Sequence, residues 1–195
     1  MSLAAAPVRP LTIEEWYELY HDDEGGRCEL VRGRAIVTPP EDPEHARMIG
    51  DLSFLLHPAF ASSWRTLWGV GLLLRGDPDA TFRSPDVSVL SRDIDMRGWY
   101  VHPHQVALAV EITSWQSVET DWVRRRDEYA AAGIPNYLIV DVRFDDGPRL
   151  WLFDQLVPNA GGGPTTYADT TGDGHSATLR LPGCDPITIT AADLA

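Results

Sequence analysis

The sequence predicts an α/β (α+β) fold, a central mixed β-sheet flanked by helices with a small C-terminal β appendage, and three observations carry that prediction. Residues 106–112 (Val-Ala-Leu-Ala-Val-Glu-Ile) form a nearly unbroken apolar run, the pattern of a strand covered on both faces. Around it the periodicities alternate as helix, hairpin, helix, strands, helix and strands, the order of a sheet with helices on its faces. The chain has 195 residues, 44% apolar and 23% charged, enough for one domain with its own core. That domain is expected to span residues 1–195, with a core over 11–155 and the β appendage over 156–195.

Each element has its own local reason. A short helix starts from Thr12, an N-cap residue with Glu15 at capping-box spacing, and places Ile13, Trp16, Tyr17 and Tyr20 on one face. Gly25-Gly26 breaks the chain. Residues 28–31 and 34–38 read as strands joined at Arg32-Gly33, a hairpin signal, and Pro39-Pro40 closes the unit. A longer helix over 43–61 repeats Met48, Leu52, Leu55, Leu56 and Phe60 at helical intervals, with Pro58 expected to end or kink it. Strands are expected over 66–74, 87–90, 106–112, 137–142 and 150–153. A helix over 117–132 stops at Gly133, a favourable C-cap. The last forty residues hold a glycine-rich stretch and short strand-like runs, hence the appendage.

Composition narrows the chemistry. The net charge is −13, and every basic residue is arginine; lysine does not occur. Arginine does not deprotonate, so mechanisms that need a lysine amine are closed to this chain. The negative field opposes non-specific attraction to nucleic acid, and a DNA-binding reading requires a local basic patch or neutralising metal ions. Cys28 and Cys184 have no paired spacing and suit a reducing compartment. No apolar run reaches membrane-span length, and the first residues lack the marks of a signal peptide, so a cytoplasmic protein is expected.

Two acids stand where a solvated charge is not expected. Asp86 follows Ser84-Pro85 and opens a strand; Glu111 interrupts the buried run. A buried carboxylate needs a charge partner, hydrogen bonds or a metal, and two brought together need a cation or a shared proton. Hard oxygen donors of this kind suit Mg²⁺ or Mn²⁺, which activates water for attack on a phosphate. A second reading stays open on the residues alone: Asp86 caps a turn, and Glu111 pairs with an arginine such as Arg83 or Arg126. His102-Pro103-His104 lacks a nearby acid and reads as a surface loop.

At these residues the chain resembles the Uma family of putative restriction endonucleases, within the PD-(D/E)XK nuclease superfamily. The matching segments run in family order: residues 29–34, Pro39-Pro40 with His45, Ser84-Pro85-Asp86-Val87, and residues 110–114. Asp121 through Tyr129, Gly133-Ile134-Pro135 and residues 137–141 close the series. The resemblance implies a restriction-endonuclease-like core with Asp86 and Glu111 as metal ligands. It further implies Glu29 as a helper acid and His45 at the site's edge. The superfamily lysine position holds Thr113, and the alternative position on the next helix, four residues before Tyr129, holds Arg125. Arg125 can hold a phosphate electrostatically but transfers protons poorly. Its other reading is an Asp121–Arg125 pair at i, i+4 on a solvated face.

The expectation is an Mg²⁺-dependent (or Mn²⁺-dependent) DNA endonuclease, with catalytic candidates Asp86, Glu111, Glu29, His45 and Arg125 and metal ligands Asp86 and Glu111. Arg124, Arg125 and Arg126 are expected to supply the local positive patch, and a homodimer suits the cutting of two strands. The alternative is a catalytically weak or inactive nuclease-fold module that binds nucleic acid or a protein partner; a hydrolase of smaller phosphate esters is less favoured.

Overall fold

The computed structural model describes residues 9–20, 27–115, 117–159 and 161–195, without the side chains of 171–173. The Gly25-Gly26 break lies outside the described residues. Helix α1 (Ile13–Tyr20) begins as expected: Thr12 Oγ1 accepts from the Glu15 amide at 3.2 Å, and Glu15 accepts from the Thr12 amide at 3.0 Å. Strands β1 (Arg27–Val31) and β2 (Arg34–Thr38) form the hairpin. Both turn residues have positive φ, 49° at Arg32 and 72° at Gly33, the signature of a tight I′ turn.

Helix α2 (Pro43–Phe60) is capped by Asp42, whose carboxylate accepts from the His45 amide at 2.9 Å. It buries Met48, Leu52, Leu56 and Phe60. Pro58 does not stop this helix, which runs on to Phe60 even though proline has no amide hydrogen to give the Phe54 carbonyl.

The run expected as one strand over 66–74 is two, β3 (Trp64–Trp68) and β4 (Leu72–Arg75), and they belong to different sheets. Gly69 has φ 66° at the break, and Gly71 lies against Phe82 so closely that a Cβ would meet its ring at 1.9 Å. Strand β5 (Thr81–Arg83) completes a four-stranded sheet of order β2-β1-β5-β4. From β5 the chain passes through Ser84-Pro85-Asp86 into β6 (Val87–Ser91) of the central sheet.

Strand β7 (Val106–Thr113) is buried throughout its length, as is β8 (Tyr137–Asp141), which runs parallel to it. Between them residues 120–131 are not one regular helix. Thr120–Arg125 is π-helical and continues as α3 (Arg126–Ala131), which Gly133 (φ 83°) terminates. Strand β9 (Arg149–Phe153) is followed by the short pair β10 (Leu156–Val157) and β11 (Thr166–Tyr167). Strand β12 (Thr171–Gly174) finishes a six-stranded central sheet of order β12-β9-β8-β7-β6-β3. The hairpin β13 (Ser176–Leu179) and β14 (Ile187–Thr190) follows.

The central sheet has two cores because its side chains alternate. Leu108, Val110 and Ile112 face α2, whereas Ala109 and Ile139 face α3. The C-terminal β segment joins this architecture directly: β12 is an edge of the central sheet, and Ala177, Leu179 and Ile189 lie in the α2 core. Among the described residues, no helix is long and apolar enough to cross a membrane. Leu179, fully buried, tests how far the C-terminal hairpin supports the fold. Leu179→Ala should cost about 2–5 kcal/mol in urea unfolding; a cost near zero would mean that the hairpin only rests on the core.

Candidate active site

Asp86 sits where the chain leaves the small sheet for the central one. Val87 pairs with Val110, so Asp86, one residue earlier, stands beside Glu111 at the neighbouring strand's end. Its Oδ2 accepts from the Ile112 amide at 2.7 Å, and its Oδ1 meets Arg27 Nη2 at 2.6 Å. His45, in the first turn of α2, brings Nε2 to 3.2 Å from the same oxygen, although too far off-line for a hydrogen bond. Burial works against the Asp86 charge, but His45, Arg27 and the Ile112 amide outweigh it and hold the carboxyl down at about 2. Burial likewise opposes a charged His45, and the adjacent Asp86 carboxylate overcomes it and raises the ring above its ordinary value.

Glu111 faces the α3 side of the sheet. Its Oε1 accepts from the Tyr129 hydroxyl at 2.6 Å and lies 3.3 Å from Arg125 Nε. Of the arginine partners left open by the sequence, neither Arg83 nor Arg126 is the one it meets; Arg125 is. Burial pushes the Glu111 carboxyl well above its usual range; Arg125 pulls it down only in part, while Asp86 and Asp121 add to the rise.

Arg125 is 7% exposed, so the Asp121–Arg125 pair does form, but inside the protein rather than on a solvated face. Nη1 lies 2.5 Å from Asp121 Oδ1, and Nη2 donates to both Glu29 oxygens at 3.0 Å. Thr113, at the superfamily lysine position, donates to Asp121 Oδ2 at 2.9 Å. Burial raises the Asp121 carboxyl, with Arg125 only partly offsetting it.

Glu29 on β1, expected to assist through a bridging water, has both oxygens engaged. Besides Arg125, Oε1 accepts from the Ser84 amide at 3.0 Å and Oε2 from Arg83 Nη1 at 2.7 Å. Burial raises its carboxyl, but Arg125, Arg83 and the Ser84 amide bring it below the ordinary value. Arg83 also binds Glu128 at 2.7 Å.

The arginine triplet divides. Arg124 is exposed, lines the cleft and pairs with Glu119 at 2.9 Å. Arg125 is buried among acids, and Arg126 pairs with Asp127 and lies over the Phe153 ring at 6.0 Å. The triplet is therefore not one positive patch, because helical geometry turns consecutive residues to different faces.

Two residues absent from the sequence reading complete the site. Arg27 spans Asp86, the Ser84 carbonyl (2.9 Å) and Glu41. Glu41, His45 and Asp86 offer donor atoms all within 4.8 Å of one another, a set able to hold a metal ion. The signal for Glu41 was its i, i+4 spacing to His45; Arg27 contacts Asp86 across 59 residues and left none. All the candidates, Glu29, His45, Asp86, Glu111 and Arg125, line one cleft of about 720 Å³.

Glu29 is held by two buried guanidiniums, Arg83 and Arg125. Because its folded pKa lies below 4.5, its stabilisation is present above pH 4.5 and disappears as pH falls through the lower folded value. Glu29→Gln should cost about 3–5 kcal/mol at neutral pH, since two buried guanidiniums lose their shared partner. The gap from wild type should close on acidification; a pH-independent gap would assign the loss to packing instead.

Residues 13–182 match the family Uma2, described as "Putative restriction endonuclease". No curated protein matches the chain. Among solved structures, it resembles the crystal structure of a putative nuclease belonging to DUF820 from Anabaena variabilis. The two share 16% identity at a TM-score of 0.64, over 95% of this chain and 97% of that one. The chain belongs to the Uma2 family of putative restriction endonucleases and has a nuclease-like fold.

Proposed function

We propose that this protein is a divalent-metal-dependent endonuclease that hydrolyses phosphodiester bonds in DNA with Mg²⁺ or Mn²⁺. The observation that carries the proposal is the junction at Asp86, a buried carboxylate held ionised beside a second one, Glu111, whose own charge is under-compensated. The donor chemistry fits a hard divalent cation: Asp86, Glu41 and His45 bring their donor atoms within 4.8 Å of one another, and Glu111, on the strand paired beside Asp86, would complete the family's pair of acidic ligands. Such an ion supplies an activated water and offsets charge gathering on the phosphate.

The protein's own groups have separable parts in this reading. The Ile112 amide aims Asp86, and the Tyr129 hydroxyl aims Glu111. Glu29 and Asp121 anchor Arg125, which stands where a family lysine is expected and acts as a fixed charge rather than a proton donor. Arg27 holds Asp86 and Glu41 together and competes with a cation for both.

That competition also favours a second reading, a weak or inactive nuclease-fold module. A site already bridged by Arg27, with Arg125 in place of lysine, needs no metal to persist. Metal titration and plasmid nicking separate the two. Arg27→Met should tighten Mn²⁺ binding roughly tenfold, about 1.4 kcal/mol, by removing the competing guanidinium. Asp86→Ala and Glu111→Ala should abolish both binding and nicking. Arg125→Lys should speed nicking roughly tenfold or more if proton transfer limits the rate. Failure of both wild type and Arg125→Lys to nick DNA with either metal would leave the module as the correct reading.

A further inference from the structure

Beside the catalytic cleft lies a second groove of about 890 Å³, and the two share Val31, Ile36 and Arg124 along their boundary. Arg32, Arg34 and Arg75 line this second groove, and all three are exposed. Thr81 joins them: it pairs with Arg75 across β4 and β5, and its hydroxyl accepts from the Arg32 amide at 3.3 Å. The chain has a net charge of −13, and among the described residues most guanidiniums are tied to carboxylates. Among the described residues, Arg32, Arg34 and Arg75 have no ion pair. The groove's own acids are committed elsewhere, Asp127 to Arg126 at 3.0 Å and Glu128 to Arg83 at 2.7 Å.

The backbone at Arg32 adds an independent point. Its φ of 49° is left-handed, at a turn position that Asn, Asp or Gly fills at least cost. An arginine placed there sacrifices local stability to present its side chain over the groove.

We infer that this groove is a docking track for the phosphodiester backbone of DNA, along which Arg32, Arg34 and Arg75 hold the strand on its way into the cleft. The inference rests on the nuclease reading for the identity of its ligand. Three unneutralised guanidiniums supply the charge and bidentate geometry that phosphates accept. Ile36, 44% exposed, and Val123, 47% exposed, give the groove an apolar flank suited to sugars and base edges. The track also explains how an acidic protein approaches a polyanion: the local field, not the net charge, governs the docked strand.

The test is fluorescence anisotropy of a labelled DNA duplex with the full-length protein in EDTA, across a salt series. The combined variant Arg32→Asn, Arg34→Gln, Arg75→Gln should bind at least tenfold more weakly, with a salt slope lower by about three, near one per lost phosphate contact. A control, Arg65→Gln, Arg92→Gln, Arg180→Gln, removes the same charge outside the groove and should bind nearly as wild type. Arg32→Asn alone should weaken binding while melting no lower than wild type, because Asn suits the turn. Equal losses in the two triple variants, or no duplex binding by wild type at low salt, would overturn the track. Nicking supplies the distinction from the nuclease reading. Arginine-dependent binding without cleavage leaves the track standing and removes the nuclease; cleavage unaffected by the groove variant does the reverse.

Discussion

Arg125 reaches Asp121, Glu29 and Glu111 from a single guanidinium, and the arrangement of the whole centre follows from that sharing. Removing a carboxylate from water costs several kcal/mol unless an opposite charge or good hydrogen bonds replace the solvent. Four carboxylates, Glu29, Asp86, Glu111 and Asp121, are buried here. Arg27, Arg83 and Arg125 face them, one cation fewer, and Arg27 and Arg83 also serve Glu41 and Glu128. The deficit settles on Glu111, whose partner is divided and whose neighbours Asp86 and Asp121 repel it. Such a group favours a proton, or a cation able to take the proton's place. The shortage thus falls beside Asp86, at the strand ends that open into the cleft.

Arginine suits this position for reasons that exclude lysine as an equal substitute. The planar fork directs separate donors at separate acids and does not titrate, so Glu29 and Asp121 keep a cationic partner across the physiological range. The π-helical turn over Thr120–Arg125 turns both Asp121 and Arg125 inward, and Thr113 and Tyr137 secure it, through the Asp121 side chain and carbonyl respectively. A wider turn of this kind loses regular hydrogen bonding and occurs mainly where side-chain placement demands it. Fixing Arg125 so firmly also removes it from the mobile donors that would meet a substrate.

The legible parts of the sequence were those in which local pattern and tertiary position agree. The Thr12–Glu15 cap, the Arg32-Gly33 turn, the buried β7 and the stop at Gly133 each depend on a few consecutive residues. The division between β3 and β4 was hidden because the decisive contact, Phe82 against Gly71, comes from another strand. For Asp121 and Arg125 the spacing was legible but the burial was not, since an i, i+4 pair looks identical on a wet face and a dry one. Asp86 and Glu111 stood out because a charge in an apolar run has few inexpensive explanations. Arg27, by contrast, is an ordinary arginine in an edge hairpin until the fold brings it to Asp86.

Internal neutralisation has a consequence for how any polyanion is recognised. The guanidiniums nearest Asp86 and Glu111 are committed to carboxylates, and drawing one toward a phosphate would leave a buried acid uncovered at a cost of several kcal/mol. In the proposed nuclease, attraction at the site would therefore come from a bound cation, while binding along the strand would come from charges that the fold has not already spent. Arg32, Arg34 and Arg75 are of the second kind, on a hairpin and a strand that belong to the small sheet rather than to the central one. The small sheet thus contributes to both tasks, with Glu29 on β1 turned into the acid cluster and Arg32, Arg34 and Arg75 turned out to the groove, and Asp86 lies on the segment that joins it to the central sheet.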